Sequence, residues 1–372
     1  MCSLKNIKNI QMKINQILLA ICILLVAGIN RLDAQGCAPA PSADDDGAKI
    51  IGFIQPQFEV KQLEDGGMSS SFTFNRARIG ITGNIPYDVQ YYAIVEASQF
   101  KKGPFLLDAF VSYTRFPFAK ISVGQFKSPF TLEMSRPCNA LHTIYRATIV
   151  NTLVAPDRDL GLMVSGSLFA DKLSYAFALT NGVGLRNIFD TEDTGYDNNH
   201  GKTFHSRVQV SPLGFLKVGG GVQYGTHKSI VEDSDKEDSR FRWAVDLQTK
   251  FVVFNRDFEV IGEYVAGADK GSYVAGGGGC GGDPVIVEGD LNRNGYYVTA
   301  MYKILDNLQP LFRFESYNYD PTSSKGVDYT MIGGLNYWLN DNTRIQANYF
   351  YRAEKRLEKP NDEFTIQFQA IF

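Results

Sequence analysis

The sequence predicts an all-β protein, a transmembrane antiparallel β-barrel of about sixteen strands with an inward-folded third extracellular loop. Three observations carry that prediction. From Lys49 onward, segments of about ten residues alternate apolar and polar side chains. The connections between them sort into short and long ones in turn. The chain stops on an aromatic strand whose last residue is Phe372.

The N-terminus reads as a targeting segment. Lys5, Lys8 and Lys13 precede an apolar run from Ile17 to Ala27, and Leu32-Asp33-Ala34 is a tolerable cleavage site before Gln35. The run has the length of a signal-peptide core and falls short of the ~20 apolar residues a spanning helix needs. Residues 1–34 are therefore read as a signal peptide, 35–48 as a short N-terminal lead and 49–372 as the barrel. Met12-Lys13 would itself open a signal peptide, so Met12 is an alternative start. No later stretch is long and apolar enough for a transmembrane helix, so the protein is expected to be exported and not to be a helical membrane protein.

Composition agrees. The 372 residues include 26 Phe and 19 Tyr, yet the mean hydropathy is slightly negative. A water-soluble domain with so many aromatics would gather them into longer apolar runs. Here they are scattered among Asn, Gln, Arg, Asp and Gly. A bacterial outer-membrane barrel needs this mixture, with aromatics at the lipid interfaces and polar groups in the lumen. The net charge is −3, and loss of Lys5, Lys8, Lys13 and Arg31 against Asp33 makes the remainder more acidic. Nothing in that charge points to nucleic acid. Cys37, Cys138 and Cys280 remain, an odd number that allows one disulfide and implies no framework.

Sixteen strands are expected near 50–60, 71–83, 87–98, 105–115, 119–126, 159–169, 172–181, 203–211, 215–226, 241–252, 257–267, 294–304, 309–319, 328–338, 343–352 and 363–372. The clearest runs from Phe241 to Val253. Phe241, Trp243, Val245, Leu247, Phe251 and Val253 fall on one face, and Arg242, Asp246, Gln248 and Lys250 on the other. Lipid outside and water inside account for that division; for one strand alone, so does a soluble β-sandwich. The last segment places Phe364, Ile366, Phe368, Ala370 and Phe372 on one face with Thr365, Gln367 and Gln369 between them. A terminal Phe closing such a strand resembles the signal read by barrel-assembly machinery, so Phe372 is the candidate assembly signal.

The connections separate barrel from sandwich. Asn84-Ile85-Pro86, Phe116-Pro117-Phe118, Ala170-Asp171, Ser211 to Gly214, Phe254-Asn255-Arg256 and Leu339 to Asn342 are short. Between them fall connections that are mostly long and polar: 127–158, 182–202, 227–240 and 268–293. Short periplasmic turns opposite long outer loops characterise bacterial barrels.

Residues 127–158 are the candidate constriction. Leu141, Ile144, Tyr145, Ile149, Val150, Leu153 and Val154 make this loop too apolar to float in water, and the inside wall of a wide barrel is the available surface. Lys127, Arg136, Arg146 and Arg158 stand against Glu133 and Asp157, a local positive surplus. Basic groups in a low-dielectric constriction favour anions. Packing against neighbouring loops or another subunit is the alternative. On the second strand, Arg76 and Arg78 share a face opposite Ala77, Ile79 and Ile81, which points both into the lumen. They read either as part of an anion path or as wall charges paired with Glu96, Asp88 or Asp108.

The runs FNRARIGITGNI (74–85), LLDAFVSYTRF (106–116), VGQFKSPFTLE (123–133) and PDRDLGLMVSG (156–166) resemble the phosphate-selective porin family, porins O and P. The resemblance implies a sixteen-stranded trimeric porin with an inward third loop. The family name implies phosphate, whereas the sequence shows only scattered basic positions in an acidic chain.

Weaker signals carry less. Asp290 to Gly295 begins like a calcium loop, but the twelfth position is Met301, and a loop turn is the reading adopted. Gly276 to Gly282 reads as a loop tip, and Glu232 to Asp238 as a solvated external loop. His205-Ser206 has no oxyanion motif or third partner to make it a hydrolase pair. No metal site, cofactor or enzymatic motif is expected. The function expected is a passive porin for small ions or anionic solutes in the bacterial outer membrane. The competing reading is a plugged barrel acting as an adhesin or structural protein.

Overall fold

The structure, a computed structural model, describes residues 47–63, 65–98, 103–154, 157–182, 201–228, 237–275, 285–320 and 326–372. The expected signal peptide, most of the lead, Cys37, Cys280 and the 276–282 loop tip lie outside these residues.

Alternation governs every strand. The first half contributes β1 (Lys49–Gln62), β2 (Met68–Ile85), β3 (Val89–Glu96), β4 (Phe105–Phe116), β5 (Ala119–Lys127), β6 (Arg158–Leu168), β7 (Leu173–Thr180) and β8 (Thr203–Leu213). The second half contributes β9 (Leu216–Lys228), β10 (Glu237–Val253), β11 (Arg256–Lys270), β14 (Leu291–Tyr302), β15 (Leu308–Asp320), β16 (Gly326–Asn340), β17 (Thr343–Glu354) and β18 (Glu363–Ile371). These sixteen pair antiparallel, each with its neighbour in sequence, and β1 pairs with β18 to close the barrel. A separate hairpin, β12 (Ser272–Ala275) with β13 (Val285–Glu288), stands between β11 and β14.

The two faces of the wall are inverted relative to a water-soluble protein. On β10, Asp238, Arg240, Arg242 and Asp246 are buried while Phe241, Trp243, Val245 and Leu247 are exposed. On β18, Thr365, Gln367 and Gln369 are buried while Phe364, Ile366 and Phe368 are exposed. A closed wall with apolar side chains outside and polar ones inside is stable only where the outer solvent is apolar. That inversion, together with closure, removes the sandwich reading.

Closure falls on the last residue. Phe372 exchanges backbone hydrogen bonds with Gly52: Gly52 N–H donates to its carbonyl at 2.8 Å, and its own N–H donates to the Gly52 carbonyl at 3.0 Å. A Cβ on Gly52 would stand 2.7 Å from the Phe372 ring, so the glycine makes room for the terminal aromatic.

One end of the barrel carries the tight turns. Phe254 and Asn255, at φ 50° and 61°, form the two-residue reversal between β10 and β11. Both central residues of this turn are left-handed, which matches the twist of paired strands.

Some expectations are corrected. Strands run longer than the alternation suggested, β2 spanning 18 residues and β10 17. Glu237 and Asp238 therefore belong to β10, with Asp238 buried, and not to a solvated loop. Leu291 to Gly295 lie in β14 and form no turn. Asp88 sits in the β2–β3 turn, where it pairs with Arg115 at 3.3 Å and does not face Arg76 or Arg78.

Candidate functional site

The connection between β5 and β6 is built from short local structure. Its base is tied by Ser128 N–H donating to the Asp157 carbonyl at 3.0 Å. Thr131 caps α1 (Leu132–Ser135), its Oγ1 accepting from Met134 N–H at 3.2 Å. A 3₁₀ turn, Cys138–Ala140, and a second helix, α2 (Thr148–Leu153), follow.

This segment touches strands around the circumference. Arg78 of β2 donates to Cys138 Sγ at 3.0 Å, and Gln57 of β1 donates to the Tyr145 hydroxyl at 2.8 Å. Gln248 of β10 accepts from Arg136 at 3.3 Å. Glu263 of β11 accepts from the N–H groups of Leu132 and Glu133. On β15, Arg313 pairs with Glu133, and Glu315 accepts from Thr148 N–H at 2.9 Å. Asn336 of β16 donates to the His142 carbonyl at 3.0 Å, while Arg344 of β17 donates to the carbonyls of Leu141 and Asn139 at 2.9 and 3.0 Å. All these wall residues lie on the buried, polar-bearing faces of their strands. A single segment that reaches all of them runs across the interior.

Apolar packing holds it to one side. Phe130, Leu132, Met134, Ile149, Val150, Leu153 and Val154 form one buried cluster with Ala244, Ile261, Val265, Tyr297, Met301 and Leu311. Each fully buried aliphatic side chain contributes about 1.5–3 kcal/mol. The wall contributors are inward positions of β10, β11, β14 and β15, where a water-filled lumen would call for polar groups. Sequence reasoning missed them, although Ile261, Val265 and Met301 break the polar phase of their own strands. Two glycines permit the contact. A Cβ on Gly221 would stand 2.2 Å from the Phe130 carbonyl, and one on Gly295 3.0 Å from Ile149.

The wall formed by β6 and β7 carries small inward side chains beside Met163. Ser165 and Ser167 of β6 and Ala178 of β7 are inward and buried. Between this wall and the inner segment lies a cavity of about 290 Å³, bordered by Lys127, Pro129, Leu132, Arg136, Met163 and Arg207 among others.

The six basic residues singled out in the sequence divide into two kinds. Arg78 and Arg158 are buried wall charges, paired with Glu96 at 2.7 Å and Asp108 at 2.9 Å. Arg158 also pairs with Asp157 at 2.7 Å. Arg76 donates to Gln55 at 2.9 Å. Lys127 donates to the carbonyls of Met134 and Arg136 at 3.3 and 3.0 Å. Arg146 holds the Glu133 carbonyl at 3.2 Å and Cys138 Sγ at 3.3 Å. Arg136 and Arg146 belong to none of the ion pairs among the described residues.

Positive charge acts at His142 and negative charge at Tyr145. Burial, and then Arg136, Arg313 and Arg344, hold the His142 imidazole well below the ordinary histidine range. Burial pushes the Tyr145 phenol up, with Glu363 adding to it. His205 and Ser206 point to opposite faces of β8. The imidazole meets Thr180 Oγ1 at 3.1 Å, and the serine hydroxyl bonds the Val222 backbone at 3.2 Å. The two do not meet.

Residues 54–237 match the family model described as phosphate-selective porin O and P. Over those residues, just under half of the chain, the protein is similar to that family. The porin lies in the bacterial outer membrane and passes small solutes by diffusion through its barrel. No curated protein matches it by sequence. Among solved structures, an anion-selective porin from Comamonas acidovorans aligns with TM-score 0.61 and 12% identity, covering 88% of this chain and 99% of that one. The in-vitro folded, trimer form of OmpT from Vibrio cholerae gives 0.58 and 14%, covering 88% and 100%. The outer membrane channel DcaP of Acinetobacter baumannii gives 0.57 and 12%, covering 89% and 99%. At these identities the likeness is one of fold.

Proposed function

We propose that this porin is a general, weakly anion-selective channel whose passage runs between the inner segment and the small-residue wall. The observation that carries the reading is the state of the segment's arginines. Arg136 and Arg146 are hydrogen-bonded to neutral groups and form no ion pair among the described residues, with Glu133 and Glu259 acting on Arg136 only at longer range. Lys127 and Arg76 extend the same basic lining. Arg78 and Arg158, matched by Glu96 and Asp108, serve the wall more than the passage. The fold is shared with a neighbour described as anion-selective.

On this reading the porin performs no catalysis and needs no cofactor. Residues 1–34 are a signal peptide, 35–48 a lead and 49–372 the barrel. Phe372 is the signal presented to the barrel-assembly machinery. The porin assembles as a homotrimer in outer-membrane lipid, as the trimeric form of a neighbour with the same fold supports. The test is the reversal potential under a potassium chloride gradient for Arg136→Gln with Arg146→Gln. Loss of anion preference with the conductance kept supports the reading; an unchanged reversal potential sinks it.

The packing of the inner segment favours a second reading, a plugged barrel that displays its long loops as an adhesin. An intact, folded barrel that passes no current would establish that reading.

A further inference from the structure

We infer that the cavity beside the inner segment is a binding site for a small monocarboxylate with an apolar body. The inference rests on the anion-selective reading and narrows it to a class of solute.

Three features of the lining lead there. The first is its charge. Lys127, Arg136 and Arg207 border the cavity, and no aspartate or glutamate does. The second is how few donors remain available. Lys127 already bonds two carbonyls, and Arg136 spends one donor on Gln248. Arg207 pairs through Nη1 with Asp246 at 2.7 Å, while its Nη2 is buried with no hydrogen-bond partner. A buried guanidinium donor left unmatched is unfavourable, and a carboxylate oxygen satisfies it with a charge-assisted bond. Gly219 leaves room for the Arg207–Asp246 pair, since a Cβ there would stand 2.7 Å from Asp246 Oδ2 and 2.8 Å from Nη2.

The third feature is the apolar remainder. Pro129 and Leu132 from the segment face Met163 and Ala176 from β6 and β7. A phosphate dianion gives up a tightly held hydration shell and needs donors on several sides, whereas the lining hydroxyls of Ser135 and Tyr175 already donate to the carbonyls of Thr131 and Phe118. A monocarboxylate needs one cationic anchor and has a hydrocarbon body to set against Leu132 and Met163. The volume of about 290 Å³ sits at the small end of ligand sites. It suits a single ring or a short chain.

Benzoate is the probe, with inorganic phosphate and the neutral benzyl alcohol beside it, in single-channel recording of the refolded porin. Benzoate is expected to interrupt the current at about one tenth of the phosphate concentration, and benzyl alcohol not to interrupt it. Arg207→Gln combined with Asp246→Asn removes the anchor without stranding a buried carboxylate, and should weaken the benzoate block about tenfold. Met163→Asn should weaken block by benzoate to a similar extent and leave phosphate unchanged. Should the double variant fail to fold, the wild-type contrast and Met163→Asn still decide. Phosphate matching or exceeding benzoate in an anion-selective channel overturns the inference and leaves the selectivity standing. Equal block by benzyl alcohol also overturns it, because the site would then be apolar only. A channel with neither anion preference nor benzoate block removes both.

Discussion

Arg313 of β15 and Glu133 of the inner segment, 180 positions apart in the chain, form a buried ion pair inside the barrel. The same carboxylate accepts from Ala147 N–H at 2.7 Å, and the guanidinium lies 4.6 Å over the Tyr297 ring. One carboxylate thus ties both limbs of the segment to the wall. Breaking such a pair leaves a charge stranded, which costs about 3–5 kcal/mol. Arg313→Met should lower the thermal midpoint of the folded barrel and make the open-channel current noisier. Arg313→Met with Glu133→Gln and Glu315→Gln, which leaves no buried carboxylate without its cation, should recover most of the midpoint.

Gly221 fixes how closely the segment approaches β9. Any side chain there meets the Phe130 carbonyl at 2.2 Å and the Ser206 carbonyl at 2.5 Å, both backbone atoms that yield only by moving the chain. Gly221→Val should displace the segment toward the small-residue wall and reduce the single-channel step. Gly333→Val is the control, since nothing lies within 4 Å of a Cβ at that position, and its step should match wild type.

His142 makes the seating of the segment sensitive to acid. Seated, its imidazole titrates well below the ordinary value because it is buried beside Arg136, Arg313 and Arg344. Released, it returns to about 6.5. Above that value both forms are neutral and the seat is at full strength. As pH falls below it, the released form takes up a proton that the seated form refuses, so the seat weakens. Current noise should rise below about pH 6.5 and rise less in His142→Gln; equal rises in both proteins would refute this.

The Phe372–Gly52 contact predicts an assembly phenotype. Phe372→Ala keeps the backbone bonds and loses the ring, so folded barrel in the outer membrane should fall. Gly52→Ala should fall too, because its new Cβ meets the Arg78 carbonyl at 2.5 Å and the ring at 2.7 Å. Heat-modifiable migration on gels reads both.

The architecture was legible because each strand states its orientation locally. Phe241 to Val253 and Phe364 to Phe372 each need only period-two alternation to assign lipid and lumen. Turn lengths then sorted the two ends, and the strand count closed the barrel. What escaped depends on contacts distant in sequence. Nothing near Arg78 or Arg158 identifies Glu96 or Asp108 as partner with certainty; the register between strands decides it. The hairpin of β12 and β13 was hidden in a stretch read only as a long loop. The apolar seat was visible as an exception, in that Ile261, Val265 and Met301 spoil an otherwise polar inner face. Arg207 drew no notice as a site because its role arises from a cavity that the sequence does not show.

The most direct test of the central claim is single-channel recording of the refolded porin in a planar bilayer under a potassium chloride gradient. A channel that runs beside a basic inner segment should give discrete open steps with a reversal potential displaced toward that of chloride. A correctly folded barrel with no conductance would show the interior to be plugged. Open steps with a cation-selective reversal potential would show that Arg136 and Arg146 do not govern the passage.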